Sequence, residues 1–285
     1  MPVTGPRSWF ITGTSSGFGR RMTELLLARG DRVAATARRT AALEDLAAAN
    51  GDRLHVYELD VTDTPAVRRV VDAAFAALGR IDVIVNNAGY GLFGAAEELT
   101  DAQIDRQLAT NLVGSIQVTR AALPHLREQG GGRIIQISSI GGQVAFPLLS
   151  LYHATKWGIE GFFESLSQEL APFGIQTTLV EPGAGRTDFA SRSLDRAEPL
   201  PAYETTALGD FRRALLSGTA MPLLGDPAKV VRAIVDSADQ APAPRRLVLG
   251  SDAYEIGRTA LAQRLAELEA QREVAHSTDA DDVRH

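Results

Sequence analysis

The chain has 285 residues, 45% hydrophobic and 22% charged, with 29 Lys and Arg against 35 Asp and Glu for a net charge of −6. This is enough to bury the core of one large α/β domain and too apolar for a disordered protein, and the mild acidity argues against a broad nucleic-acid-binding surface. No cysteine is present, which excludes disulfides, thiolate catalysis and cysteine-ligated metal.

Residues 8–12 read as a short buried strand. The strand runs directly into Gly13-Thr14-Ser15-Ser16-Gly17-Phe18-Gly19 and then into a helical pattern over 20–29. Strand, glycine-rich turn and helix make the first unit of a dinucleotide-binding fold. One glycine permits the tight turn, one lets a pyrophosphate approach the backbone, and one lets the helix pack close. The helix N-terminus then offers free N–H groups and partial positive charge to a phosphate. The spacing is G-x3-G-x-G, and a plain turn is the competing reading.

A second strand is predicted over 32–37, followed at once by Arg38 and Arg39. In such folds an acidic side chain at the end of this strand holds the adenosine ribose 2′-OH and repels a 2′-phosphate. Here Ala37 holds that position and arginine comes next. A guanidinium suits bidentate phosphate binding, so NADP is expected over NAD. The competing reading makes both arginines a solvated helix start, Arg39 especially. A third strand over 54–59 ends in Asp60 and Val61, where the carboxylate either receives the adenine amino group or caps the loop before Thr64 and Pro65.

A helix to residue 78 leads to a nearly all-apolar fourth strand over 81–85, as a central parallel strand requires. It ends in Asn86-Asn87-Ala88-Gly89, which can hold a loop against a ligand or simply turn. The pattern over 100–129 predicts one long helix, with a kink or break at Pro124. Asn111 falls mid-helix among apolar residues, and a buried Asn needs partners such as a water or a backbone carbonyl. A fifth strand over 133–138 precedes Ser139. A helix over 152–173 carries Tyr152-x3-Lys156, and a sixth strand over 176–181 ends in Pro182-Gly183. The alternation of strands and helices predicts a doubly wound parallel sheet in three layers.

From 184 to 225 the pattern dissolves around several prolines and glycines, with a helical patch near 203–216. A long insertion at the C-terminal edge of a sheet is usually a lid or substrate loop. A helix over 226–238, a last strand over 245–250, and an amphipathic helix over 252–273 with Leu261, Leu265 and Leu268 on one face complete the chain before a polar tail. The organisation expected is one domain over 1–250, with 184–225 as its lid, and a helical extension with a polar tail over 251–285. The five histidines (His55, His125, His153, His276, His285) show no metal-ligand spacing and are expected at the surface or in loops. No metal site is expected. No apolar run approaches the ~20 residues of a membrane span, and residues 1–7 lack the apolar core of a signal peptide. A cytoplasmic protein without a membrane or nucleic-acid partner is expected.

Tyr152 and Lys156 lie one turn apart on one helix face. A phenol titrates near pH ~10, and a fixed ammonium within a few Å favours the phenolate. Such a tyrosine can exchange a proton with a substrate oxygen near neutral pH. Alone, the pair is a common surface arrangement.

Taken together, Thr12-Gly13-x3-Gly17-x-Gly19, Asn86-Asn87-Ala88-Gly89, Asn111, Ser139, Tyr152-x3-Lys156 and Pro182-Gly183-x3-Thr187 occur in this order and at consistent spacing. The sequence resembles the short-chain dehydrogenase/reductase family over about residues 8–250. The resemblance implies a Rossmann-type fold. It also implies a catalytic set of Asn111, Ser139, Tyr152 and Lys156, with Ser139 preferred over the adjacent Ser138 because Tyr152 follows it by thirteen residues. The implied cofactor contacts are Gly13, Ser15, Ser16, Gly17, Phe18 and Gly19 at the pyrophosphate, Arg38 and Arg39, then Asp60 and Val61 at the adenine. Asn87, Ala88, Gly89, Tyr152, Lys156, Pro182, Gly183 and Thr187 complete them, with Thr187 at the nicotinamide amide.

The implied activity is hydride transfer between NADP and a carbonyl compound or secondary alcohol. Ser139 would hold the substrate oxygen, Tyr152 act as general acid or base, Lys156 lower its pKa and bind the nicotinamide ribose, and Asn111 hold a relay water. Val144, Phe146 and Phe189 are expected beside Ser139 and Tyr152 in an apolar substrate lining, suited to a moderately hydrophobic substrate. A homodimer or homotetramer is expected by analogy. The alternatives are a non-catalytic NADP-binding sensor or scaffold, or an epimerase or dehydratase on the same fold.

Overall fold

The computed structural model describes residues 5–186, 193–219 and 223–280. Seven strands form one parallel sheet: β1 (Ser8–Thr12), β2 (Arg32–Ala37), β3 (Leu54–Glu58), β4 (Val83–Asn86), β6 (Gly132–Ile137), β7 (Ile175–Pro182) and β9 (Arg246–Leu249). Their spatial order is β3-β2-β1-β4-β6-β7-β9. The chain winds outward one way from β1 and then restarts the other way at β4. The switch between these two strands opens a crevice at their C-terminal ends, where such sheets bind ligands.

Side-chain alternation along the strands feeds two cores. Phe10, Ile84 and Ile134 point to one face. There they meet Val67, Val71 and Phe75 of α3 (Thr64–Leu78), Val118 and Leu126 of α5 (Ser115–Glu128), and Ile159 and Phe163 of α6 (Ser150–Leu170). Trp9, Ile11, Val33, Val85 and Ile135 point to the other face, against Met22 and Leu26 of α1 (Gly17–Arg29), Leu46 of α2 (Glu44–Asn50) and Val231 and Ile234 of α9 (Pro227–Ser237). These are the three layers of a Rossmann-type fold. Strands buried on both faces must be apolar along their whole length, which is why they were legible in the sequence.

The helix predicted over 100–129 departs from expectation. It is α4 (Asp101–Leu108), a π-helical turn over Ala109–Gly114, and α5. The irregularity falls at Asn111, not at Pro124, which sits inside α5. Pro124 is exposed, and the carbonyl its missing N–H leaves unpaired belongs to exposed Arg120, so water satisfies it. Isolated π turns frequently mark functional sites.

Two short strands escaped the sequence reading. β5 (Gly91–Phe93) pairs in parallel with β8 (Leu194–Arg196). The chain then forms α7 (Pro201–Glu204) and α8 (Ala207–Leu216) within the predicted lid. A buried ion pair pins this segment. Arg212 Nη2 donates to both oxygens of Glu98, at 2.6 and 2.8 Å, and the two side chains are 5% and 0% exposed. Glu98 also accepts from Ala95 N at 2.7 Å and Leu200 N at 2.9 Å. Arg212→Met leaves that carboxylate buried and uncompensated, which costs about 3–5 kcal/mol. Urea unfolding is expected to show the loss as a lowered midpoint, whereas an unchanged midpoint would mean that water reaches Glu98 freely.

The C-terminal helix α10 (Ser251–Glu269) packs through small residues. Ala253, Ile256 and Ala260 lie against Ile140 and Val144, and a Cβ at Gly257 would stand 2.9 Å from Ile140. The predicted leucine stripe does not face this domain: Leu261, Leu265 and Leu268 are all exposed. A last short helix, α11, spans Arg272–Ser277. Among the described residues no helix is long and apolar enough to cross a membrane.

Candidate active site

The crevice is closed at its floor by interlocked backbone. Thr12 Oγ1 accepts from Asn87 N and Ala88 N, both at 3.0 Å. Asn87 Nδ2 donates back to Thr12 O at 2.9 Å and Gly13 O at 3.1 Å. The turn after β1 and the Asn86–Gly89 segment after β4 are thereby one unit. Gly13 adopts a φ of 71°, and a Cβ there would stand 2.9 Å from Ala88 Cα. A Cβ at Gly19 would overlap Gly13 O and lie 2.6 Å from Asn87 Nδ2. These glycines are therefore fixed by packing, and the turn is left with a bare peptide surface. Ser15 is exposed, and Ser16, Gly17 and Phe18 are partly so. The first turn of α1 has no side-chain cap and no acidic residue, so its N–H groups and dipole are uncompensated.

Arg38 and Arg39 follow β2 and are exposed. Among the described residues neither has a salt-bridge partner. Asp60 Oδ1 accepts from Thr62 N at 2.9 Å and Thr62 Oγ1 at 2.8 Å. The side chain closes its own turn, while Asp63 caps α3. Val61 is buried against Gly114 of the π turn.

That π turn presents Asn111 to the loop after β4. Asn111 Oδ1 accepts from Tyr90 N at 3.0 Å, and Nδ2 donates to Tyr90 O at 2.7 Å and Thr155 Oγ1 at 3.3 Å. The side chain bridges the loop to α6, and Gly89 passes with room for a Cβ only 3.3 Å from Asn111 Oδ1. The expected backbone-carbonyl partner is Tyr90 O.

Opposite stands the group from β6 and α6. Ser139 caps the turn after β6, accepting from Gly141 N at 3.0 Å, and its hydroxyl is hydrogen-bonded to the Tyr152 phenol. Ser138 is turned away, donating to Glu160 Oε1 at 2.5 Å. Lys156 is buried, with Nζ donating to Ile137 O at 3.0 Å and standing 5.6 Å from the Tyr152 ring centroid.

The electrostatics differ from the sequence expectation. Burial pushes the Tyr152 phenol above its ordinary value, opposed by the Ser139 hydrogen bond. Burial also brings Lys156 down to about 8, opposed by the charge of Glu160. Burial of both groups disfavours their charged forms, so the phenol is held as a proton donor beside a lysine that is still charged below about 8.

His153 was expected at the surface or in a loop; it lies on α6 and is 5% exposed. Its Nε2 accepts from Phe146 N at 2.9 Å, and its Nδ1 faces Gly141 O at 2.8 Å. Burial lowers its pKa, and the neutral ring clamps the loop between Ser139 and Tyr152. Its place next to Tyr152 on the helix was the only available signal. Asp252 was also missed: its Oδ2 accepts from Ala184 N at 2.7 Å, and a Cβ at Gly183 would overlap it. Together with Gly183 N bonded to Leu249 O at 2.9 Å, it fixes the exit of β7 after Pro182. Thr187 and Phe189 lie outside the described residues.

Two of the three residues expected in the substrate lining, Val144 and Phe146, face α10. Val144 packs with Ile140 and Ala253, with Phe146 against them. Both line an outer groove of about 580 Å³ between the loop and α10, and Ser139, Tyr152 and Lys156 are not among its lining residues. Phe93, Leu148 and Leu149 form an apolar cluster with Leu194 and Phe211. Leu148 holds a φ of 66°, a strained conformation for a side-chain-bearing residue just before α6.

The sequence profile of the short chain dehydrogenase family matches residues 8–198. Oxidoreductase BOA17 of Botryotinia fuckeliana is 38% identical over 270 residues, covering 94% of this chain and 97% of that protein. The crystal structure of a short-chain dehydrogenase from Streptomyces avermitilis is 42% identical, covers 97% of this chain and 100% of that one, and superposes with a TM-score of 0.89. A Burkholderia cenocepacia short chain dehydrogenase in complex with NADP is 26% identical, covers 93% of this chain and 97% of that one, and gives a TM-score of 0.73.

Proposed function

The chain belongs to the short-chain dehydrogenase family of oxidoreductases, and we propose that it is NADP-dependent and acts on a moderately hydrophobic carbonyl compound or the matching secondary alcohol. The observation that carries this reading is the hydrogen-bonded pair Ser139 and Tyr152, with Lys156 against the same ring, at the C-terminal edge of the sheet. A protein that only bound a dinucleotide would have no chemical need for these three groups together.

The crevice fits a dinucleotide. Its turn has no space for a Cβ at Gly13 or Gly19, and the α1 N-terminus is uncapped, which suits a pyrophosphate. Gly13, Ser15, Ser16, Gly17, Phe18 and Gly19 would hold it. Arg38, assisted by Arg39, would pair with the 2′-phosphate, since Ala37 offers no carboxylate to repel it. Asp60, with Oδ1 committed to Thr62, would meet the adenine through its other oxygen, beside Val61. Asn87, Ala88, Gly89, Tyr152, Lys156, Pro182, Gly183 and Thr187 would hold the nicotinamide half. The NADP complex of the Burkholderia relative supports a nicotinamide dinucleotide as the cofactor, and the choice of NADP rests on Arg38 and Ala37.

Bound NADPH supplies the hydride. Ser139 Oγ donates to the substrate oxygen and holds it beside Tyr152. The Tyr152 phenol, kept protonated by burial, gives its proton to that oxygen as it gains charge. Lys156 would hold the nicotinamide ribose, and its ammonium would stabilise the phenolate left behind. Asn111, whose side chain bridges Tyr90 and Thr155, would hold the relay water. In oxidation the same groups run in reverse.

Titration of the purified protein with NADPH and NADH tests the cofactor reading, followed through Trp9 of β1 and Trp157 of α6. NADPH is expected to bind more tightly. Equal affinities would remove the role of Arg38, and no response to either would remove the oxidoreductase reading.

A further inference from the structure

One turn beyond Lys156 on α6 lies Glu160, a carboxylate that is 3% exposed and that the mechanism does not use. Its Oε1 accepts from Ser138 Oγ at 2.5 Å. Its Oε2 accepts from Gln143 Nε2 and, at 2.7 Å, from Arg246 Nη1. Between these contacts the loop runs directly against it, because a Cβ at Gly142 would overlap Glu160 Oε1. Glu160 therefore grips the loop on both sides of Ser139 while belonging to the helix of Tyr152 and Lys156.

Burying this charge is tolerated because Arg246 enters from β9. The guanidinium also contacts Glu181 of β7, and donates to Glu164 of α6 at 2.8 Å and 3.1 Å. An isolated carboxylate in this position would be prohibitively desolvated. A purely structural contact between loop and helix would be met by an apolar pair at no such cost.

We infer that Glu160 is a positioning residue for the reaction, setting Ser139 at working distance from Tyr152 by clamping residues 138–143 to the catalytic helix. This rests on the assignment of Ser139 and Tyr152 as the reacting pair. A displacement of about 1 Å between catalytic groups costs on the order of 100-fold in rate. Glu160 has a second effect through its charge, which favours the ammonium form of Lys156. The charged and titratable groups around the carboxylate are Lys156 and Glu164 on its own helix, Glu181 on β7 and Arg246 on β9. His153, on the same helix, is committed to Gly141 and Phe146.

Two variants separate the clamp from the charge. Ser138→Ala removes one donor and keeps the carboxylate; Glu160→Gln keeps an acceptor for Ser138 and removes the charge. Each is compared with wild type for NADPH affinity, kcat and KM with benzil and with retinal as carbonyl probes, the pH profile of kcat, and thermal unfolding. Glu160→Gln is expected to lower kcat by about 10- to 100-fold, to leave NADPH affinity within about threefold, and to move the alkaline fall of kcat to lower pH, since Lys156 loses the neighbour that favours its charged form. Ser138→Ala is expected to lower kcat by about tenfold with the pH profile unmoved. Folded variants with wild-type kcat and pH profile would overturn the role. If Glu160→Gln does not fold, Ser138→Ala decides alone, and an unchanged kcat there overturns the clamp. Wild-type protein that binds NADPH but reduces neither probe would overturn the carbonyl-reduction reading on which the role stands.

Discussion

Tyr152→Phe is expected to lower kcat by about 10²–10⁴-fold, the range supplied by a positioned general acid, while the affinity for NADPH changes by less than about threefold. The variant removes one oxygen and keeps the ring. Packing of α6 and the 5.6 Å approach of Lys156 Nζ to the ring are therefore preserved, and Ser139 loses only its phenolic partner. Initial rates with NADPH and a carbonyl probe, measured beside fluorescence titration, separate chemistry from binding. Retention of more than a few per cent of the wild-type kcat would show that the proton comes from elsewhere.

The same geometry sets a pH dependence. The phenol lies above its ordinary ~10 because it is buried, so it remains a donor throughout the neutral range. Lys156 is the group that changes: it is charged below about 8 and neutral above. The neutral amine no longer stabilises the phenolate formed by proton transfer. The reduction rate is therefore expected to fall as pH rises through about 8.

Arg38→Asp is expected to reverse or level the preference for NADPH over NADH. Loss of a charge-assisted hydrogen bond to phosphate costs about 1.5–3 kcal/mol, or roughly 10- to 100-fold in affinity. The new carboxylate adds repulsion of the 2′-phosphate and an acceptor for the 2′-OH of NADH. Exposed Arg38 has no salt-bridge partner among the described residues, so the substitution leaves no buried charge behind and stability is expected to hold. Parallel titrations of wild type and variant check this; an unchanged NADPH/NADH ratio would make Arg38 bystander surface.

What was legible in the sequence follows from what the fold demands locally. Strands buried on both faces read as apolar runs, and a turn with no room for a Cβ reads as glycine. Tyr152 and Lys156 share a helix face, so their spacing alone joins them. What was not legible depends on partners distant in the chain. Glu98 and Arg212 are 114 residues apart, and Glu160 and Arg246 are 86 apart; each looks like an ordinary surface charge until its partner is placed. His153 and Asp252 are of the same kind. β5 and β8 have three residues each, too few to show a period of two. The break at Asn111 instead of Pro124 reflects exposure: a proline on the outer face of a helix leaves a solvated carbonyl, whereas a buried π turn must be built.

The most direct test of the central claim is NADPH oxidation by wild type and Tyr152→Phe, side by side at neutral pH with benzil and retinal as carbonyl probes, with cofactor binding followed in the same samples. Turnover by wild type, binding by both, and loss of nearly all turnover in the variant are expected. Equal turnover by both proteins would contradict the role of Tyr152. Tight NADPH binding by wild type with no reduction of either probe would contradict carbonyl reduction itself and favour a dinucleotide-binding role for this fold.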